Sequence, residues 1–351
     1  MAKISFTALK PSPDEKFGSP CSRSSHGLSL VQNGTRLILH GGEHIARTPL
    51  EDNEATWAAD LDENTWQWRR ILSDNIPPAR VAHAQAVCND RVYVFGGRAG
   101  IAMEEKAMND LWELDASGTR GTETWTLVEP DKTSGPPPEP RSFHRMVAVS
   151  NSLYVFGGCG ANGRLADLHR FDLEDKTWHD LGPSPLLRGR GGANLLTLSS
   201  STSLGVVAGF CGQETADGHR FDIATNQWDE TLLTESLQGM RPRSVCVCGS
   251  FPSVGLSVIF GGEVDPSERG HEGAGGFEND VVLLQEDSGK YVETLKAARS
   301  APWPEARGWS YAASLDDGNG KGLLFIFGGL SGDDANPRRL DDLWRLEIQA
   351  S

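Results

Sequence analysis

Glu263, Asp265 and His271 lie in one short glycine- and acid-rich stretch. It reads Glu263-Val264-Asp265-Pro266-Ser267-Glu268-Arg269-Gly270-His271 and runs on into Glu272-Gly273-Ala274-Gly275-Gly276. Carboxylates and an imidazole crowded on a loop are donors that Fe(II) takes while keeping open positions for a substrate. A glycine-rich, acidic turn that binds no metal has the same composition, and spacing alone leaves both readings open. Other chemistry-bearing residues stand, like Glu263, just after a Gly-Gly pair or its remnant. They are Glu43 with His44, Arg98, Cys159 and Cys211, with Leu330 as an apolar counterpart. A soluble scaffold does not require a carboxylate or a guanidinium at such points, so Glu43, His44 and Arg98 become candidates for a ligand site.

The elements that must position these residues are copies of one unit. An apolar run ending in Gly-Gly recurs as Leu37–Gly42, Val92–Gly97, Leu153–Gly158, Val258–Gly262 and Leu324–Gly329, with a weaker copy at Val206–Phe210. Upstream lies Arg-x-x-His: Arg23 with His26, Arg80 with His83, Arg141 with His144. Later copies keep Arg190, Arg243 and Arg307 and lose the histidine. Downstream comes an apolar or aromatic strand closing on an acid, such as Leu111–Asp115 or Leu168–Asp172, and then a Trp (Trp66, Trp125, Trp178, Trp228) opening an outer strand. Period-2 alternation of β-branched and aromatic residues predicts short strands, with Gly, Pro, Asn and Asp in the turns. A period of about 50 residues with four strands per copy reads as propeller blades, which bury their faces only by stacking in a ring.

These marks resemble those of the kelch β-propeller superfamily over nearly the whole length. The fold expected is all-β, a six-bladed propeller forming one domain over residues 1–351. The sixth copy stops at Leu346-Glu347-Ile348 without a Trp strand, whereas Ile4–Leu9 is an unassigned strand-like piece. That piece is expected to supply the outer strand of the last blade and so to cover exposed edges. His26, His83 and His144 recur at one place in the repeat, which favours packing or inter-blade hydrogen bonds over ligation.

The fifth copy narrows the resemblance. Gly-Gly-Glu…His…Gly-x-Gly in a kelch chain of this length resembles the nitrile-specifier, epithiospecifier and thiocyanate-forming proteins of glucosinolate breakdown. That likeness implies Fe(II)-dependent, lyase-like action on sulfated thiohydroximate aglycones, with iron held by Glu-x-x-x-Asp-x-x-x-His. Glu263 and His271 match the ends of this motif, while Ser267 stands where the family has Asp. Asp265 is the carboxylate that could take its place. The family holds the substrate sulfate with arginines on neighbouring blades, and Arg98 and Arg164 stand in matching places. Guanidinium forks suit a tetrahedral oxyanion. Structural inter-blade hydrogen bonding is the other role open to both.

Composition sets bounds. The net charge of -15 argues against nucleic acid or an anionic membrane as partner. No run reaches about 18 apolar residues, and Met1-Ala2-Lys3-Ile4 lacks the apolar core of a signal peptide. Six scattered cysteines point to a reduced, cytoplasmic setting. Cys246 and Cys248 read as buried strand thiols rather than a metal or redox pair. With four tyrosines and no suggestive Tyr/His pairing, the copper-radical type of kelch oxidase does not fit.

Two functions follow as expectations. One is a small-molecule pocket at the channel mouth, with Glu263, Asp265 and His271 on a metal and Arg98 and Arg164 on an anionic substrate. The other is a non-catalytic scaffold that holds a protein partner through acidic loops such as Glu104-Glu105 and Asp333-Asp334. A metal-free small-molecule activity in the same pocket is a variant of the first.

Overall fold

Strand-forming runs such as Leu153-Tyr154-Val155-Phe156 become the second strands of antiparallel sheets arranged around a central channel. The computed structural model describes residues 2–100, 106–298 and 301–350, without the side chains of Asp52, Asn53 and His271. The acidic pair Glu104-Glu105 lies outside the described residues. Six four-stranded sheets are present among the described residues. The third is typical: Arg145–Val149 lines the channel, then come Ser152–Gly160, Gly163–Asp172 and the outer strand Thr177–Pro183. In the sixth sheet Tyr311–Asp316, Lys321–Gly332 and Pro337–Gln349 are completed by Lys3–Leu9. Phe6 pairs with Leu346 there, so the N-terminal strand closes the ring. Among the described residues no helix is long and apolar enough to cross a membrane.

The core lies between blades. Trp57, Trp66 and Trp68 of the first blade pack with Phe325 and Phe327 of the sixth, and Tyr93 and Phe95 of the second pack with Phe171 and Trp178 of the third. The histidines join these layers. His144 donates from Nε2 to the Phe95 carbonyl (3.1 Å) and sits edge-on to the Phe95 ring. His26 packs likewise on Phe327. Burial holds His83 down to about 3, the Arg80 charge adding to it, so this ring stays neutral.

The diglycine lies at the end of the second strand of each blade, one step out from the channel, as in Arg91–Arg98. Both glycines adopt left-handed backbone, Gly96 at φ 62° and Gly97 at φ 94°. A Cβ on Gly97 would lie 2.8 Å from the Val81 carbonyl, which only glycine avoids. In the fourth copy Ala208 takes the first place at φ 62° and Gly209 the second. This explains the weak signal there, and it makes Phe210, rather than Cys211, the residue that follows.

Two backbone rings tie the blades together. The second residue after each repeat arginine has positive φ: Ser25, Ala82, Phe143, Gly192, Val245 and Trp309. Each donates its N–H to the carbonyl of the equivalent residue one blade back, at 2.8–3.1 Å, closing a circle around the channel. A second circle joins each diglycine to the arginine carbonyl of the next blade, as in Gly97 N–H to Arg141 and Gly329 N–H to Arg23.

The arginines themselves are buried clamps. Arg243 donates to the Gly261 carbonyl (3.0 Å), the Arg241 carbonyl (3.1 Å) and both oxygens of Asp280 (2.6 and 3.1 Å). Arg80, Arg141, Arg190 and Arg307 repeat the pattern with Asp110, Asp167, Asp217 and Asp342. In the first blade Ala55 occupies the acid's place, and Arg23 meets the Ala55 carbonyl and the Cys21 Sγ (3.6 Å) instead. Burial therefore pulls Arg23 down to about 10, whereas at Arg243 the same pull is more than offset by Asp280. Removing one partner of a buried pair strands the other, at a cost of about 3–5 kcal/mol. Asp280→Ala is expected to lose stability in that range by urea unfolding, and Arg243→Met to lose more than Arg23→Met, which leaves no carboxylate behind. Equal losses for the two arginine variants would contradict this account.

Candidate functional site

Because the framework repeats, one position per blade faces the same channel mouth with free choice of side chain. It is the residue after the diglycine, bridged to the residue after the repeat arginine. The pairs are Glu43 with Ser24, Arg98 with Val81, Cys159 with Ser142, Phe210 with Gly191, Glu263 with Ser244 and Leu330 with Gly308. A cavity of about 240 Å³ opens there between blades three, four, five and six. Its apolar walls are Phe143, Phe210, Val245, Pro266 and Trp309, and Arg164 and Glu263 bring the charge.

The cationic side stands on blades two and three. Arg164 lies opposite Cys159 in the hairpin register, with its guanidinium 4.5 Å from the centre of the Phe210 ring. Burial pushes the Cys159 thiol up, and the Arg164 and Arg98 charges pull against that, so both guanidinium groups act on this spot. Neither has a carboxylate within ion-pair distance among the described residues, and the Arg98 Nε is buried without a partner.

The acidic side stands on blades four and five. Glu263 is 6 % exposed, and burial, with Glu214 adding to it, pushes its carboxyl up to about 8. Glu214 is 9 % exposed and takes the Ser244 hydroxyl on Oε1 (3.2 Å), while Oε2 is buried without a donor. Burial carries it up to about 7, against the pull of Ser244 and Arg164. Gly275 leaves room beside Glu263: a Cβ there would lie 2.7 Å from Oε1.

The other expected site residues are placed as follows. Asp265 turns outward and pairs with Arg241 (2.9 Å), which also holds Glu278. The Ser267 hydroxyl donates to Asp334 of the sixth blade. His271 belongs to a single 3-10 turn, Gly270–Glu272, and its side chain lies outside the described residues. Glu43 is buried and paired with Arg339 (3.0 Å), and it accepts from Ser24 and from the Arg47 N–H. His44 is exposed and bonded through Nδ1 to Ser22. Among the described residues no three His, Cys, Asp or Glu side chains gather as a metal would need. Of the expected ligand set, Asp265 is thus tied to Arg241, and Glu263 alone faces the cavity among the described side chains, while Ser267, at the cavity edge, is tied to Asp334. Cys246 is 1 % exposed, and burial pushes its thiol up to about 12, in keeping with an inert strand thiol.

Sequence reasoning missed Glu214 and Phe210. Both follow from the true register of the fourth copy, in which Ala208-Gly209 is the diglycine. The step of 20 residues that leads from Arg23 to Glu43 and from Arg243 to Glu263 leads from Arg190 to Phe210.

Comparison with known proteins agrees with this architecture. The family model for the KLHDC2/KLHL20/DRC7 Kelch-repeats domain matches residues 27–262. A Thlaspi arvense protein, N-(sulfonatooxy)prop-2-enimidothioate sulfolyase, is 27% identical over 96% of this chain and 96% of its own length. Leucine-zipper-like transcriptional regulator 1 of Homo sapiens is 34% identical over 47% of this chain, which spans only 19% of that regulator. Adagio protein 3 of Arabidopsis thaliana is 34% identical over 45% of this chain and 24% of its own. The solved structure titled "Structure of YjhT" superposes with a TM-score of 0.68 over 93% of this chain and 95% of that one at 16% identity, which shows the shared fold.

The raised carboxyls have a consequence for stability. A carboxyl whose folded value exceeds its ordinary 4.5 binds its proton more firmly in the folded state. The contribution is full below pH 4.5 and is lost as pH rises to about 7 for Glu214 and about 8 for Glu263. Relative to wild type, Glu214→Gln and Glu263→Gln are expected to gain Tm steadily between pH 5 and 8.5 in a melting series. A difference that stays constant across that range would show that the carboxyls are not held protonated.

Proposed function

The chain belongs to the kelch-repeat family, and from that premise we propose that its channel mouth is a binding site for a small sulfated organic anion. The observation that carries this reading is Arg164, a guanidinium on the wall of an aromatic cavity with no carboxylate within ion-pair distance among the described residues, together with Arg98, whose charge also reaches Cys159 on that wall. An arginine fork favours a tetrahedral oxyanion through charge-assisted hydrogen bonds. Phe143, Phe210 and Trp309 offer flat apolar area to the rest of the molecule. The full-length likeness to a sulfolyase supports a lyase-type reaction in which sulfate departs. Arg98 and Arg164 would then act where negative charge builds on the leaving oxygen, which is where fixed positive charge lowers a barrier. Nothing in this reading routes a step through a metal.

A second reading rests on the half-length likeness to regulators: the mouth loops hold a protein partner. Exposed Ile45, on the hairpin Glu43–Ile45 with Thr48–Pro49, is the apolar residue that such a contact would cover.

Calorimetry with an aryl sulfate separates the two. Arg164→Ala is expected to weaken binding by tenfold or more, and Arg98→Ala by a similar factor, with Tm unchanged by more than about 2 °C. Binding insensitive to both substitutions would remove the anion site and turn attention to protein partners. An anaerobic Fe(II) titration of the wild type beside His271→Ala tests the metal separately: binding lost in the variant would add iron to the pocket.

A further inference from the structure

Glu43 and Glu263 occupy the same place in two blades. Each follows the diglycine and is backbone-bridged to a serine, Ser24 or Ser244. Each is almost wholly buried, at 4 % and 6 % exposure. In the first blade the chain supplies the cation: Arg339 reaches over from the sixth blade to Glu43 Oε1 at 3.0 Å. In the fifth blade no cation lies within ion-pair distance of Glu263 among the described residues, and Arg164 acts on Glu214 only as a more distant charge. The arginines nearby are committed elsewhere, Arg241 to Asp265 and Glu278, and Arg269 to the Asp334 carbonyl. Glu263 has the Ser267 N–H, and a second buried carboxylate, Glu214, stands against it with Oε2 unpartnered. Asp265 and Asp334 add negative charge around the same point. Arg339 lies opposite Leu330 in its hairpin and donates to the Ser24 hydroxyl, whereas its counterpart beside Glu263 is Glu214, opposite Phe210 and accepting from the Ser244 hydroxyl. The cavity lies against this carboxyl pair, and Gly275 keeps the space beside Glu263 Oε1 clear.

We infer that the ligand itself carries the missing cation: an organic molecule with an anionic group for Arg164 and Arg98 at one end and an ammonium for Glu263, backed by Glu214, at the other. This rests on the anion-binding reading above and narrows it to dipolar molecules. Buried carboxylates are left without a cation only at a cost in stability, and a cation placed between them recovers it. The aromatic walls between the two charged ends fit a flat apolar spacer.

The test uses two aryl sulfates that differ only in the ammonium, tyramine O-sulfate and 4-ethylphenyl sulfate. Both are titrated into the full chain by calorimetry at pH 7.5, with EDTA present. Tyramine O-sulfate is expected to bind at least tenfold more tightly. Glu263→Gln should abolish that advantage while leaving 4-ethylphenyl sulfate within about twofold of wild type. Glu214→Gln should shrink the advantage, and it stands in should Glu263→Gln fail to fold. Arg164→Ala should weaken both ligands equally. Equal affinities for the two sulfates in the wild type would overturn the inference while leaving the anion site intact. If neither sulfate binds, the anion reading fails, and tyramine alone then decides: binding lost in Glu263→Gln keeps the cation half, and no binding sinks it too. An advantage that appears only when Fe(II) replaces EDTA would mean that a metal ion, not an ammonium, answers these carboxylates.

Discussion

A buried guanidinium at the start of every blade is the interaction on which this fold depends. Each repeat arginine points into the protein with its long edge on backbone carbonyls and, in five blades among the described residues, its fork on an aspartate. The first diglycine carbonyl is one of its acceptors, as in Arg141 to Gly157 at 3.0 Å. The clamp thus fixes the turn after the second strand, the start of the third strand and the entry to the innermost one. Such a charge is tolerable only because nearly every donor is used, since a half-satisfied buried cation is strongly destabilising. The departure at Arg23, where Ala55 replaces the acid, falls in the blade that also borders the closing strand.

The clamp sets the backbone, and the two hydrogen-bonded circles follow from it. The residue two after each arginine is forced to positive φ, so its N–H turns along the ring rather than into a strand. Even Val245, a β-branched residue for which this backbone is costly, adopts it at φ 47°. Closing the circle in six steps offsets that local strain with an inter-blade bond at every step. The channel mouth is thereby rigid, and side chains placed on it hold their positions.

That rigidity lets chemistry vary while structure repeats. Six equivalent mouth positions carry Glu43, Arg98, Cys159, Phe210, Glu263 and Leu330. Blades six and one neutralise their own charge through Arg339 and Glu43. Among the described residues Arg164 of blade three and Glu263 of blade five, both on the cavity wall, have no ion-pair partner, so that cavity carries positive charge on one side and carboxyls on the other. The likeness to a sulfolyase over the full length and to regulators over half of it shows one framework serving different ends.

The diglycines, the Arg-x-x-His phrase, the Trp strands and the spare strand at Ile4–Leu9 were enough to specify the blade number and the closure, because each is a backbone requirement written in residue type. Left-handed turns need Gly-Gly, and an unpaired outer strand needs a partner. Arg98 and Glu263 were also legible as residues directly after a diglycine, and the backbone bridges give them equivalent places in their blades. Which charges are free was not legible. Glu43 and Glu263 look alike along the chain, and only the sixth blade's Arg339 separates them, from almost 300 residues away. Asp265 and Ser267 read as ligand candidates until Arg241 and Asp334 are seen to occupy them, and Glu214 was hidden by Ala208 in the place of a glycine. The chain determines its repeat by local backbone sterics. The pairing of buried charges across blade boundaries is a property of the closed ring, decided by contacts that exist only when the blades meet.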